Sequence, residues 1–141
     1  MKFRKTIYFF VIAYVLCFLQ CYLSMHAYAK ELSAICLNCI FYTEILMTSL
    51  LIIFIFPVAW LLNMFKLSIK IRYVISSISF FMLSYLVNIS IFDSRVASWS
   101  SYSHKDVLIS VFFLAYPYLS VSVLLFWLAT KKLNLLQLRA K

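Results

Sequence analysis

Cys36 and Cys39 are separated by two residues, and this pair is the part of the sequence best suited to covalent chemistry. Two cysteines at this spacing form a reversible disulfide, whose reactivity depends on how readily the thiols ionise. The same spacing also fits a structural disulfide, or two thiols that pack at an apolar interface. The pair therefore indicates either a thiol–disulfide redox site or a structural role, and the spacing selects neither.

The other two cysteines, Cys17 and Cys21, lie four residues apart and share one face of a predicted helix with Ser24. A free cysteine packs in protein interiors as a small apolar residue. We therefore expect both side chains to fill a helix–helix interface. A metal site built from all the cysteines is not expected, because the two pairs lie at different depths of the predicted membrane.

His26 and His104 are the remaining candidate metal ligands. A zinc site needs three or four converging ligands. These histidines, with Glu31 or Asp106, would converge only through folding that the sequence does not indicate, so no metal site is predicted. The chain contains no glycine, which excludes a Gly-rich phosphate-binding loop. No cofactor is predicted except under the redox interpretation of the cysteine pair.

The elements that position these residues are organised around residues 45–65, a run without any charged side chain. At about 1.5 Å per residue, a helix of this length covers about 30 Å, the thickness of the hydrocarbon core of a bilayer. Lys66, Lys70 and Arg72 follow the run, and such clusters mark the cytoplasmic end of a span. Pro57 should kink the helix, because proline removes a backbone hydrogen bond.

The composition argues against both a soluble domain and a nucleic-acid-binding protein. Of the 141 residues, 66% are hydrophobic and 12% are charged, whereas soluble domains average about 25% charged residues. The net charge of +9 would by itself suggest nucleic acid as a partner. However, ten of the thirteen basic residues lie in three short clusters that flank apolar runs. They are interpreted as topology signals, with anionic lipid as a further contact.

The predicted fold class is all-α, with four transmembrane helices in an antiparallel bundle and both termini in the cytoplasm. Residues 1–141 form a single membrane domain with the lipid bilayer as its solvent. The predicted helices cover residues 7–29, 43–65, 73–92 and 107–129, the external loops are 30–42 and 93–106, and the cytoplasmic parts are the loop 66–72 and the tail 130–141. The tail is expected to form a short amphipathic helix on the membrane surface.

The first segment also fits a cleaved signal peptide. Ala27 and Ala29 form an A-x-A site behind a basic N-terminal region. The apolar stretch before this site is longer than the roughly 7–15 residues of a signal-peptide core. A retained transmembrane helix is therefore favoured.

Ser77, Ser84 and Asn88 fall on one face of the third predicted helix, because they are spaced by seven and four residues. In a bilayer such a face turns towards other helices, where hydroxyls and amides find hydrogen-bond partners. A helix–helix interface is favoured over a transport path, because no ionisable side chain lies mid-way along this helix. Trp99 and Tyr102, in the second external loop, are suited to the membrane interface.

The segment around Cys36 and Cys39 resembles the quinone-linked, disulfide-bond-forming membrane oxidoreductases. That family has four helices with both ends inside, and a C-x-x-C pair in the first external loop, followed by an apolar residue and soon a glutamate. Ile40 and Glu44 are placed comparably. The resemblance implies a thiol–disulfide oxidoreductase that uses quinone. The family also has a second cysteine pair in its second external loop, and residues 93–106 contain none.

Over its whole length the chain resembles the colicin-A-type immunity proteins of enteric bacteria, which are small, basic, four-span proteins with both ends inside. The resemblance implies a multi-pass protein of the bacterial inner membrane that binds the pore-forming helices of a toxin within the bilayer. The implied contacts are Ser77, Ser84, Asn88 and the external loop 93–106, with Trp99 and Tyr102. A non-enzymatic, partner-binding membrane protein is therefore the favoured function. The alternative is the thiol oxidoreductase.

Overall fold

The computed structural model describes residues 3–65 and 67–133. The amphipathic helix predicted for the tail falls on residues beyond 133 and lies outside this part of the chain. Four of the basic residues in the predicted cytoplasmic clusters lie outside it as well: Lys2, Lys66, Arg139 and Lys141.

Every regular element in residues 3–65 and 67–133 is helical. The α-helices are α1 (Phe3–Met25), α2 (Phe41–Thr48), α3 (Ile55–Met64), α4 (Ile69–Arg95) and α5 (His104–Lys132), with 3₁₀ helices at His26–Tyr28, Ser49–Phe54 and Ala97–Trp99. They form four segments that are long and apolar enough to cross a membrane: Arg4–Tyr28, Phe41–Leu62, Ile69–Trp99 and His104–Lys132. The prediction of an all-helical protein with four such segments is confirmed.

The helix ends differ from the predicted ones by a few residues. Helix α4 starts at Ile69 and continues to Arg95, whereas the prediction placed it at 73–92. Helix α5 starts early because Ser103 and Asp106 form a capping box, in which each side chain accepts a hydrogen bond from the backbone N–H of the other. The connections are therefore shorter than predicted, and Arg95 belongs to a helix rather than to an external loop.

The second span changes its helix type just before Pro57. Residues Ser49–Phe54 form a 3₁₀ helix between α2 and α3. Proline has no N–H to donate to the carbonyl of Ile53, and its ring crowds the preceding turn. The tighter 3₁₀ winding lies where the α-helical hydrogen bonding is broken. A change of helix type therefore accompanies Pro57, and the kink expected there stays a prediction.

The interior is narrow, because each of the four segments buries only 28–33% of its most apolar stretch. Helix α1 contributes a buried row at intervals of four residues that includes Phe9, Ala13, Cys17 and Cys21. Small side chains in such a row let membrane helices approach closely. Cys17 and Cys21 are buried and free, in agreement with the expected packing role.

Three buried aromatic rings hold α1, α4 and α5 together. The rings of Phe80 and Phe126 stack with their centroids 4.4 Å apart. Phe9 meets Phe126 at 5.5 Å with its ring tilted. Aromatic pairs at these distances add dispersion and quadrupole attraction to the packing, so this cluster is a main apolar anchor of the bundle.

Candidate functional site

Two connections, residues 26–40 and 96–103, meet at one end of the helices, and we name them together the loop cap. The indole Nε1–H of Trp99 donates to the carbonyl oxygen of Leu32 at 2.8 Å, which joins the second connection to the first. Because the two connections are tied to each other, the loop cap forms one surface rather than two independent loops.

A buried ion pair lies directly beneath the loop cap. Arg95, in the last turn of α4, donates from Nε to Oε2 of Glu44, in the first turn of α2, at 2.7 Å. The side chains are 2% and 9% exposed, respectively. Two charges removed from water are costly unless their remaining polar atoms are also paired. The neighbours of each partner therefore decide whether the pair is stable.

The guanidinium of Arg95 finds partners on every side. Its Nη1 donates to the carbonyl oxygens of Ala29 and Glu31, and its Nη2 donates to that of Cys39 at 3.4 Å. The guanidinium carbon also lies 5.0 Å from the centre of the Phe41 ring. One side chain at the end of α4 thus holds both ends of the first connection.

The carboxylate of Glu44 is equally well satisfied. Its Oε1 accepts hydrogen bonds from the hydroxyls of Ser33 at 2.9 Å and Ser94 at 2.6 Å. Nearby, the backbone N–H of Ala34 donates to the carbonyl oxygen of Ser94 at 2.7 Å. The ion pair and these hydrogen bonds form one connected network, which fixes the path of the loop cap over the helix ends.

Cys36 and Cys39 form a disulfide, with their Cα atoms 5.3 Å apart. The bond closes a tight turn, in which the N–H of Cys39 donates to the carbonyl oxygen of Cys36. Cys36 is half-buried and Cys39 is exposed. The interpretation of the pair as two separate thiols is therefore replaced by a disulfide at the surface. The carbonyl oxygen of Cys39 joins this disulfide to the Arg95 network.

The outer surface of the loop cap is unusually apolar for a connection. We name as the cap face its exposed large side chains: Leu32, Ile35, Leu37, Ile40, Trp99 and Tyr102. Ile35 is 77% exposed. Tyr102 is held by edge contact with the ring of Phe92 at 5.7 Å. The predicted partner contacts Trp99 and Tyr102 are therefore among the exposed apolar side chains of the loop cap.

The other predicted partner contacts are used inside the chain. Asn88 donates to the side-chain oxygen of Gln20 at 3.0 Å and accepts from the hydroxyl of Ser24 on α1. Ser84 and Asn88 are fully buried. Ser77 is half-buried and lines a groove between α4 and α5. Ser84 and Asn88 are thus buried inside the chain, where Asn88 joins α4 to α1, and their role as contacts for an external partner stays a prediction.

Sequence reasoning missed Arg95 and Gln20. The sequence predicts Arg95 within the external loop 93–106, because a charged residue at the end of an apolar run usually marks the end of a span. Its partner Glu44 is 51 residues away, so no local pattern joins them. The position of the two residues could have predicted the pair, because opposite charges at helix ends on the same side of a membrane can form an ion pair.

Among residues 3–65 and 67–133, no three His, Cys, Asp or Glu side chains come together as a possible metal site. His26 instead packs edge-on against the ring of Tyr22 at 5.4 Å. Comparison of the chain with protein-family models, with curated proteins and with solved structures finds no match.

Proposed function

We propose that the chain is a multi-pass protein of the bacterial inner membrane that acts by binding a membrane-inserted partner protein through its cap face. The proposed partner class is a pore-forming toxin, which would make the chain an immunity protein. The observation that carries the proposal is the cap face itself, six large apolar side chains exposed on two connections. The buried ion pair fixes the first connection, and the Trp99–Leu32 hydrogen bond ties the second to it.

The proposed topology is an antiparallel bundle with both termini in the cytoplasm. Contacts between α1 and the second span support opposite directions, because Tyr14 donates to the carbonyl of Leu46 whereas Phe18, further along α1, packs on the earlier residue Tyr42. Basic clusters lie at the other end of the spans from Glu44, and positive charge collects on the cytoplasmic side. The loop cap then faces the compartment from which a toxin inserts.

A partner-binding role follows from the fixed shape of the cap face. Exposed apolar patches mark sites of protein or membrane contact. Surfaces that are already ordered lose less conformational entropy on binding, and the Arg95 network orders this one. The pore-forming helices of a toxin are themselves apolar, so one of them could pack against the cap face as it enters the bilayer. Packing of such a helix against the cap face would hold it away from the arrangement that opens a channel.

The proposal is tested by protection of living cells. Toxin-sensitive bacteria that express the chain are challenged with a panel of pore-forming toxins, and survival is compared with that of cells carrying an empty vector. Protection against at least one toxin is expected. The double variant Ile35→Ser/Leu37→Ser should lose that protection, while Met64→Ser/Phe65→Ser, equally exposed at the other end of the second span, should keep it. Killing of wild-type-expressing cells by every toxin would refute the proposal.

A thiol–disulfide oxidoreductase is the second candidate, and the exposed disulfide of Cys36 and Cys39 favours it. A substrate dithiol would pass two electrons and two protons to this disulfide, leaving an oxidised substrate and two thiols. A membrane quinone would then accept both electrons and protons and become a quinol. Reduction of added quinone by the dithiol-treated protein tests this function. Replacement of both cysteines by serine should abolish it, whereas toxin protection should survive that replacement.

A further inference from the structure

A second surface lies at the opposite end of α4 from Arg95. The first turns of α4 and the last turns of α5 enclose a groove of about 790 Å³. Three lysines line it: Lys70, Lys131 and Lys132. The ammonium of Lys131 lies 4.8 Å from the centre of the Trp127 ring, so that lysine is held at the groove by a cation–π contact. No acidic residue is among those that line the groove.

Tyr73 is the feature that distinguishes this groove from a set of surface lysines. It lines the groove and is only 8% exposed. Its hydroxyl makes no hydrogen bond within residues 3–65 and 67–133. A buried hydroxyl without a partner costs free energy. An acceptor oxygen supplied by a ligand would remove that cost.

The groove continues along the outer surface of α4 and α5 as a shallow, open, apolar channel. This second part has a volume of about 350 Å³ and includes Val74, Ile78, Val123 and Leu124. Trp127 lines both parts. A ligand with an anionic group joined to a long apolar chain would fit both parts.

We propose that this groove binds one anionic glycerophospholipid, with its phosphate held by Lys70, Lys132 and Tyr73 and one acyl chain lying along Ile78 and Leu124. The positive lysines and the negative phosphate are complementary, and the Tyr73 hydroxyl, which is buried in the wall of the groove, would have to turn towards the phosphate to donate to one of its oxygens. Trp127 lies between the two parts of the groove, and indole rings favour the membrane interface. The site is independent of the proposed toxin binding at the other end of the bundle.

Native mass spectrometry of the purified full chain tests the site, with palmitoyl-oleoyl phosphatidylglycerol and phosphatidylcholine as probes. The wild-type chain should retain one phosphatidylglycerol at least tenfold more strongly than phosphatidylcholine. Each lysine near a membrane contributes about fivefold to anionic lipid binding. Lys70→Gln/Lys132→Gln should therefore bind phosphatidylglycerol about 25-fold more weakly. Lys30→Gln/Lys105→Gln removes the same charge at the loop cap and should change binding by less than twofold.

Equal retention of the two lipids by the wild-type chain, or equal weakening by both double variants, would overturn the proposal. Tyr73→Phe removes only the hydroxyl and should weaken phosphatidylglycerol binding severalfold. Leu124→Trp fills the channel and should weaken it as well. If inorganic phosphate displaces the lipid completely and Leu124→Trp has no effect, the site holds free phosphate and the lipid assignment is wrong. The wild-type lipid comparison decides the proposal even if a variant fails to fold.

Discussion

Replacement of Arg95 by methionine tests whether the buried ion pair holds the loop cap to the helices. The substitution keeps much of the side-chain volume but leaves Glu44 as an uncompensated buried carboxylate. Removal of one partner of a buried pair costs about 3–5 kcal/mol. The carbonyls of Ala29 and Glu31 also lose their hydrogen-bond donor, at about 1 kcal/mol each. This cost is already included in the range of about 3–5 kcal/mol for the broken pair. We therefore expect Arg95→Met to be strongly destabilising.

The two free cysteines provide the assay. Cys17 and Cys21 are fully buried, and the other two cysteines are in a disulfide. A maleimide that becomes fluorescent on reaction with a thiol therefore reports the unfolding of detergent-solubilised protein during heating. A loss of about 4 kcal/mol corresponds to a lower midpoint by about 10–15 °C for a domain of this size.

A double variant separates the charge effect from the loss of packing. In Glu44→Gln/Arg95→Met no charge is left unpaired, so the remaining cost is mainly that of the backbone carbonyls, about 2 kcal/mol. The double variant should therefore melt at a higher temperature than Arg95→Met alone. Lys30→Met removes an exposed charge at the same end and should change the midpoint by less than about 2 °C. The reasoning would be refuted if the midpoint shifts of Arg95→Met and Glu44→Gln, measured singly, add up to the shift of the double variant. A midpoint shift of Arg95→Met no larger than that of Lys30→Met would refute it as well.

Three further outcomes are expected. Denatured without reductant, the protein should present two thiols to maleimide, Cys17 and Cys21, and four after reduction; four before reduction, counted by mass, would contradict the disulfide. Asn88→Leu should lower stability in the same thermal assay by about 1–2 kcal/mol, because hydrogen bonds between membrane helices reach about 1.7 kcal/mol; an unchanged midpoint would mean that the amide does not join α4 to α1. Phe80→Ala should cost about 3–5 kcal/mol through the cavity left between two helices, whereas Phe113→Ala, on an exposed face, should cost much less.

The number of long apolar helices could be predicted from the sequence, because a bilayer sets a minimum length for any helix that crosses it. A helix in lipid needs about twenty consecutive apolar residues, and a window of hydropathy detects such a run directly. Helix ends are decided by local contacts instead. The Ser103–Asp106 capping box starts α5 before its apolar residues begin, and Arg95 extends α4 because its partners lie under the loop cap.

The candidate site was only partly predictable for a related reason. Its residue type predicts Trp99 at the membrane interface, and the structure shows only that its side chain is exposed. Ser84 and Asn88 were correctly placed on an interior-facing side of one helix, but their spacing could not say which helix they meet. That depends on Gln20, a single amide within an apolar run of α1, whose meaning appears only when the two helices are packed together.

The polar contacts of α4 explain how the bundle selects one arrangement. Lipid is as apolar as the side chains of the interior, so burial alone does not decide which face of a membrane helix points inwards. A slip of α4 by one residue rotates its faces by about 100°. Such a slip would carry Asn88 away from Gln20 and Arg95 away from Glu44, leaving an amide and two charges without partners at a cost of several kcal/mol. The apolar rings of Phe80 and Phe126 supply attraction between the helices, and the polar pairs determine the register in which that attraction acts.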